Sequence, residues 1–115
     1  MLTPTELFKC LADDTRLRCL VLLHQEKRLC VCELTYSLAM SQPKISRHLA
    51  LLRQIKVVQD SREGQWVYYQ INAELPAWVN EILDVIAQET NQRAHIKEDR
   101  ARLQAMASRP WLNKC

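Results

Sequence analysis

The sequence is poor in the residues that turn a chain sharply. Its 115 residues include one glycine, Gly64, and four prolines, which leaves little for sheet corners and predicts a fold made mainly of helix. No proline- or glycine-rich run marks an internal boundary, so residues 1–115 read as a single domain. No uninterrupted apolar run approaches the roughly 18 residues of a membrane span. The opening MLTPTELFKC lacks a cationic segment leading into an apolar one, and a soluble, cytoplasmic protein is expected. Strong charge imbalance is missing too: a formal charge of +3, spread along the chain, permits an anionic partner without demanding one. No Ser/His/Asp or paired-carboxylate constellation stands out, which argues against an enzyme and against a resident cofactor.

What is present is a succession of short amphipathic patterns. Residues 5–11 suit a helix, and Asp13-Asp14-Thr15 caps a second one over 16–25, where Leu17, Leu20, Val21 and His24 share a face. A third helix is expected over 31–38. Ser41 then offers an N-cap and Pro43 a first-turn proline to a fourth, 43–54, with Ile45, Leu49 and Leu52 along one stripe. Residues 39–42 alone separate these last two helices, the short connection of a helix-turn-helix. Two β-type runs, 57–60 and 65–69, flank Ser61-Arg62-Glu63-Gly64, a hairpin with glycine where positive φ is needed. Together these make a winged helix-turn-helix, mainly α with a small β-hairpin. From about 75 to 108 one long C-terminal helix is expected, its Leu75, Val79, Ile82 and Ile86 at steps of four and three. Such a stripe needs a partner to leave water, so the chain is expected to dimerise through its terminal helices.

A helix that reads double-stranded DNA presents polar side chains near its N-terminus and positive charge beside them. SQPKISRHL meets that demand. Gln42 suits adenine, Arg47 suits guanine, Lys44 can neutralise phosphate, and Ser46 can bond base or backbone. His48, at the border of the apolar stripe, suits a structural or phosphate-facing role better than metal ligation. Arg62 at the hairpin tip is placed either to enter a minor groove or touch the backbone, or simply to keep the turn soluble. Trp66, Tyr68 and Tyr69 read as hairpin packing.

The five cysteines, Cys10, Cys19, Cys30, Cys32 and Cys115, are odd in number and do not suggest a bridged framework; in a reducing compartment they stay thiols. Cys10 and Cys19 fall within apolar helical patterns and read as small core residues. Cys30 and Cys32 differ. Positions i and i+2 of a regular helix point about 200° apart, so two sulfurs there share an ion only if the helix start distorts. A helix N-terminus preceded by Lys27 and Arg28 should lower the thiol pKa. Thiolates without histidine or carboxylate neighbours suit soft, thiophilic ions. Because the pair opens the helix that leads into the reading helix, it has the position of an allosteric trigger.

LCVCELTYSLAMSQPKISRHLALLR, with LFKCLADDTRLRCLVLL before it and GQWVYYQI and LPAW after it, resembles the arsenical-responsive branch of the ArsR/SmtB family of bacterial repressors. The resemblance implies a homodimeric winged-helix repressor of resistance genes. It would leave its operator when trivalent arsenic or antimony binds cysteines at the start of the third helix. The family's site is commonly C-x-C-x-x-C, and here Thr35 stands in the third place. A third sulfur would come from Cys10, Cys19 or Cys115, from a small thiol or water, or not at all; two protein thiols also suit a monosubstituted organoarsenical. Cadmium- and lead-sensing relatives share LCVCEL but use further cysteines ahead of the first helix, which this sequence lacks. Zinc-sensing relatives use D-x-H on the last helix, where this chain has Asp84 followed by Ile86; His95-x-x-Glu98 matches weakly. A thiol redox switch is the remaining alternative, although the usual C-x-x-C spacing is absent.

Overall fold

A computed structural model describes residues 2–106. Their elements run α1 (Pro4–Leu11), α2 (Asp14–Glu26), β1 (Arg28–Cys30), α3 (Val31–Leu38), α4 (Gln42–Gln54), β2 (Val58–Glu63), β3 (Trp66–Ile71), α5 (Ala77–Thr90) and α6 (Ala94–Gln104). Local chemistry sets the helix starts. Thr3 Oγ1 accepts from Glu6 N–H at 3.1 Å while Thr3 N–H donates to Glu6 Oε1 at 2.9 Å, a reciprocal cap on α1. Asp13 Oδ1 accepts from Arg16 N–H at 3.0 Å to open α2, and Ser41 Oγ accepts from Lys44 N–H at 3.4 Å to open α4.

One core joins these helices. Leu7, Leu20, Leu23, Leu34, Leu38 and Leu103 are buried, and the Ile45, Leu49, Leu52 stripe of α4 faces them. Each such side chain contributes roughly 1.5–3 kcal/mol by leaving water. The stripe thus fixes the rotation of α4 and, with it, which residues face outward.

The sheet is larger than two short runs suggest. Its order is β1-β3-β2, antiparallel throughout. The hairpin pairs Val58 with Ile71 through to Glu63 with Trp66, so a two-residue loop, Gly64-Gln65, replaces the expected four-residue one. Gly64 at φ +63 supplies the positive φ that such a tight loop requires at its first position. The added strand, β1, pairs Cys30 with Tyr68 and Leu29 with Tyr69. Three residues are too few for an alternating pattern to show in sequence; the free edge of β3 organises them.

The expected single helix over 75–108 is interrupted. α5 ends at Thr90 and α6 starts at Ala94, and residues 107–108 lie outside the described residues. The break is held in place. Arg100 donates to Asn91 Oδ1 and to the Asn91 carbonyl, both at 3.0 Å, satisfying the end of α5 while α6 folds back. Folding back buries Ile96 and Leu103, and it lays α6 along α3. With one glycine available, other left-handed positions fall to Lys27, Ala39 and Lys56, at φ 76, 56 and 67.

Candidate cysteine site and nucleic-acid interface

Cys30 is not on a helix. It ends β1 and serves as the N-cap of α3 with extended backbone, φ −85 and ψ 165, whereas Cys32 lies in the first turn. The two sulfurs are therefore not held to the opposed directions of a regular helix, and sharing an atom requires less distortion than the helical reading supposed. Both residues line one cleft of about 460 Å³, together with Val31, Gln42, Trp66 and Val67. Cys30 N–H donates to Glu33 Oε1 at 2.9 Å.

The thiol of Cys30 has its pKa raised, not lowered. Burial dominates, the Glu33 carboxylate adds to it, and the N–H groups of Glu33 and Cys32 against the sulfur only partly oppose it. The cation expected to help is engaged elsewhere: Arg28 Nη2 pairs with Glu63 Oε1 at 2.7 Å and its guanidinium lies 3.9 Å from the Tyr68 ring centroid. Cys10, Cys19 and Cys30 are buried free thiols.

Thr35, in the third place of the motif, turns its hydroxyl back to the Cys32 carbonyl at 2.9 Å. Cys19 is in the core, and Cys10 lines a separate apolar hollow with Leu51 and Ile55. Cys115 lies outside the described residues. Among the described residues no three His, Cys, Asp or Glu side chains are grouped to hold one metal ion. Asp84 is taken by His24 Nε2 at 2.5 Å, and His95 faces Asp14 at 3.5 Å, so these acid–histidine pairs tie helices together.

On α4, Gln42, Lys44 and Arg47 are exposed and Ser46 is half-buried. Arg47 lies opposite the apolar stripe, with Gln42 and Ser46 on one flank. Gln42 Nε2 donates to Ser46 Oγ at 2.9 Å, which fixes the amide along the helix surface. His48 faces inward: its Nδ1 is 3.3 Å from Arg16 Nη1 and 4.0 Å from Asp13 Oδ1, at the start of α2. It braces α4 against α2. Arg62 is exposed near the hairpin tip, one pair before the loop.

The sequence model described as bacterial regulatory protein, arsR family, matches residues 13–60. The arsenic resistance transcriptional regulator ArsR1 of Pseudomonas putida is 51% identical over 110 residues, which cover 96% of this chain and 84% of that one. The chain belongs to the ArsR family. The arsenical resistance operon repressor of Escherichia coli is also 51% identical, over 72% of this chain and 71% of its own. Among solved structures, HlyU of Vibrio cholerae matches with TM-score 0.66 and 31% identity, covering 75% of this chain and 89% of that one. The AntR antimony-specific transcriptional repressor matches at 0.61 and 29%, covering 81% and 89%. Membership in the ArsR family makes the chain a DNA-binding transcriptional regulator of winged-helix fold, and not an enzyme.

Sequence reasoning missed the clamp that holds the far end of α3. Arg102 Nε donates to the Ser37 carbonyl at 2.7 Å and Arg18 Nη2 to the Leu38 carbonyl at 3.1 Å, holding the last turn of α3. Asp99, 2% exposed, accepts from both guanidinium groups at 2.6–2.9 Å. Cys30 and Cys32 thus stand at the start of a helix whose far end is clamped. A carboxylate amid Arg100 and Arg102 on an otherwise polar helix was the available signal, and it looked like solvated charge.

Proposed function

We propose that this chain represses an arsenic-resistance operon and leaves its operator when trivalent arsenic or antimony binds Cys30 and Cys32. The observation that carries this reading is the shared cleft: the lining that contains both cysteines also contains Gln42 of the reading helix and Trp66 of the wing. Whatever binds the sulfurs therefore shares a cleft with the DNA-reading elements. The P. putida and E. coli relatives, named for arsenic resistance, support the choice of ion.

The chemistry is ligand exchange. Arsenite meets two thiols; two As–O bonds break, two As–S bonds form, and each leaving hydroxyl takes a thiol proton away as water. Nothing is oxidised or reduced. The site acts with its cysteines reduced, and Cys115 is the candidate third ligand. On DNA, Gln42, Ser46 and Arg47 face base edges, Lys44 and Arg62 face phosphate, and His48 contributes by bracing α4. The repressor is a homodimer through its terminal helices. Val85, 63% exposed on α5, and Phe8, 55% exposed on α1, are apolar surfaces that a second copy would cover, with half-buried Ile82 and Ile86 beside Val85.

Release of a labelled operator, followed by anisotropy against arsenite, antimonite, cadmium, zinc and peroxide, tests the reading. A phosphine reductant suits the metal arms, since dithiols compete for arsenic. Arsenite and antimonite should release DNA at lower concentration than cadmium or zinc. Release by cadmium ahead of arsenite would overturn the choice of ion. Peroxide active and arsenite inert would instead establish release by thiol oxidation.

A further inference from the structure

We propose that the cleft beside Cys30 and Cys32 seats the carbon substituent of a monosubstituted trivalent arsenical, and that an aromatic substituent fits it best. The inference deepens the cysteine reading above and rests on it.

The valences point this way. An arsenical with one As–C bond has two exchangeable positions, and this site offers two sulfurs. In the exchange two As–O bonds break and two As–S bonds form, both thiol protons leave in water, and the As–C bond and the oxidation state are untouched. Inorganic arsenite brings a third exchangeable position. Among the described residues no third sulfur meets it, because Thr35 is bonded to the Cys32 carbonyl and Cys10 and Cys19 lie elsewhere.

The shape points the same way. About 460 Å³ lies against the two cysteines, far more than a hydroxyl needs. Its lining is apolar and flat where it matters: Val31 from the helix side, and Val67 and the half-buried Trp66 from β3. An aromatic ring beside an indole gains by offset stacking as well as by leaving water. Gln42 lines the same space, and its amide is bonded to Ser46. A ring seated there presses on the first turn of α4, so the larger substituent is also the stronger inducer.

The test uses the full chain, reduced with a phosphine, on a labelled operator. Release is titrated with arsenite, methylarsenite and phenylarsenite, each normalised to its affinity for a free dithiol peptide. Phenylarsenite should release the operator at roughly tenfold lower normalised concentration than arsenite, with quenching of Trp66 fluorescence. Trp66→Ala should erase that advantage while arsenite still works. Should Trp66→Ala fail to fold, Val31→Phe, which fills the cleft from the helix side, should penalise phenylarsenite selectively. Equal normalised midpoints in the wild type, or a phenyl advantage that survives in a folded variant, would overturn the subsite and leave the cysteine reading standing. No release by any of the three would overturn the cysteine reading, and the subsite with it.

Discussion

Burial separates the roles of the cysteines. Cys10 and Cys19 are 3% and 0% exposed, and burial pushes their thiols up to about 11 and about 12 from an ordinary 9.0. In the unfolded chain these groups ionise near the ordinary value. Their raised pKa values therefore contribute stability that is fully present below pH 9 and lost as pH rises toward 11 and 12. The slope is up to about 1.4 kcal/mol per pH unit for each thiol. Urea titrations between pH 8 and 11 should show wild-type stability falling more steeply than that of a Cys10→Ala/Cys19→Ala variant; parallel curves would show that neither thiol is protected. That both are core residues was legible in their apolar helical settings. The pKa of Cys30 was not, because nearness of Lys27 and Arg28 in sequence says nothing of where a guanidinium turns, and Arg28 turns to Glu63 and Tyr68.

Among the elements, α3 carries the most consequence, since its start holds the cysteines and its end is gripped by α6. Replacing Asp99 with Asn removes the buried carboxylate shared by Arg18 and Arg102, leaves Arg18 only the exposed Asp14 at 3.8 Å, and should cost about 3–5 kcal/mol in urea unfolding. A loss below about 1 kcal/mol would mean the clamp is slack. The turn after α3 is strained in a second way. Ala39 sits at φ 56, left-handed, where a side chain costs roughly 1–2 kcal/mol relative to glycine. Ala39→Gly should raise the melting temperature, and a fall would show that flexibility gained in the unfolded chain outweighs the relieved strain. Helices α1 to α4 were legible because caps and apolar periods agree. The break between α5 and α6 was not, because Asn91 and Arg93 end a helix only by virtue of Arg100 folding back onto Asn91. Strand β1 was hidden for a related reason: its partner lies some forty residues on, at Tyr68 and Tyr69.

At the scale of the whole molecule, the winged-helix architecture and the outward face of α4 were legible as soon as the Ser41 cap and the α4 stripe were seen, because a buried stripe dictates its opposite face. The cleft was not, since it joins α3, α4 and β3 across gaps in sequence that no spacing rule spans. Arg47→Ala should cost roughly 1–3 kcal/mol of operator affinity, while Lys44→Ala should weaken all sequences alike and flatten the salt dependence. Unchanged affinity in both would move the reading face elsewhere. A homodimer should occupy half-sites about 34 Å apart, one helical turn, and sedimentation of a micromolar monomer that still binds operator would refute it. In the proposed mechanism Cys30 and Cys32 together are the trigger and are dispensable for holding DNA. The most direct test is arsenite titration of the Cys30→Ser/Cys32→Ser double variant on its operator. Wild-type operator affinity is expected, with no release at any arsenite concentration that frees the wild type; release at the wild-type concentration would contradict the trigger assignment.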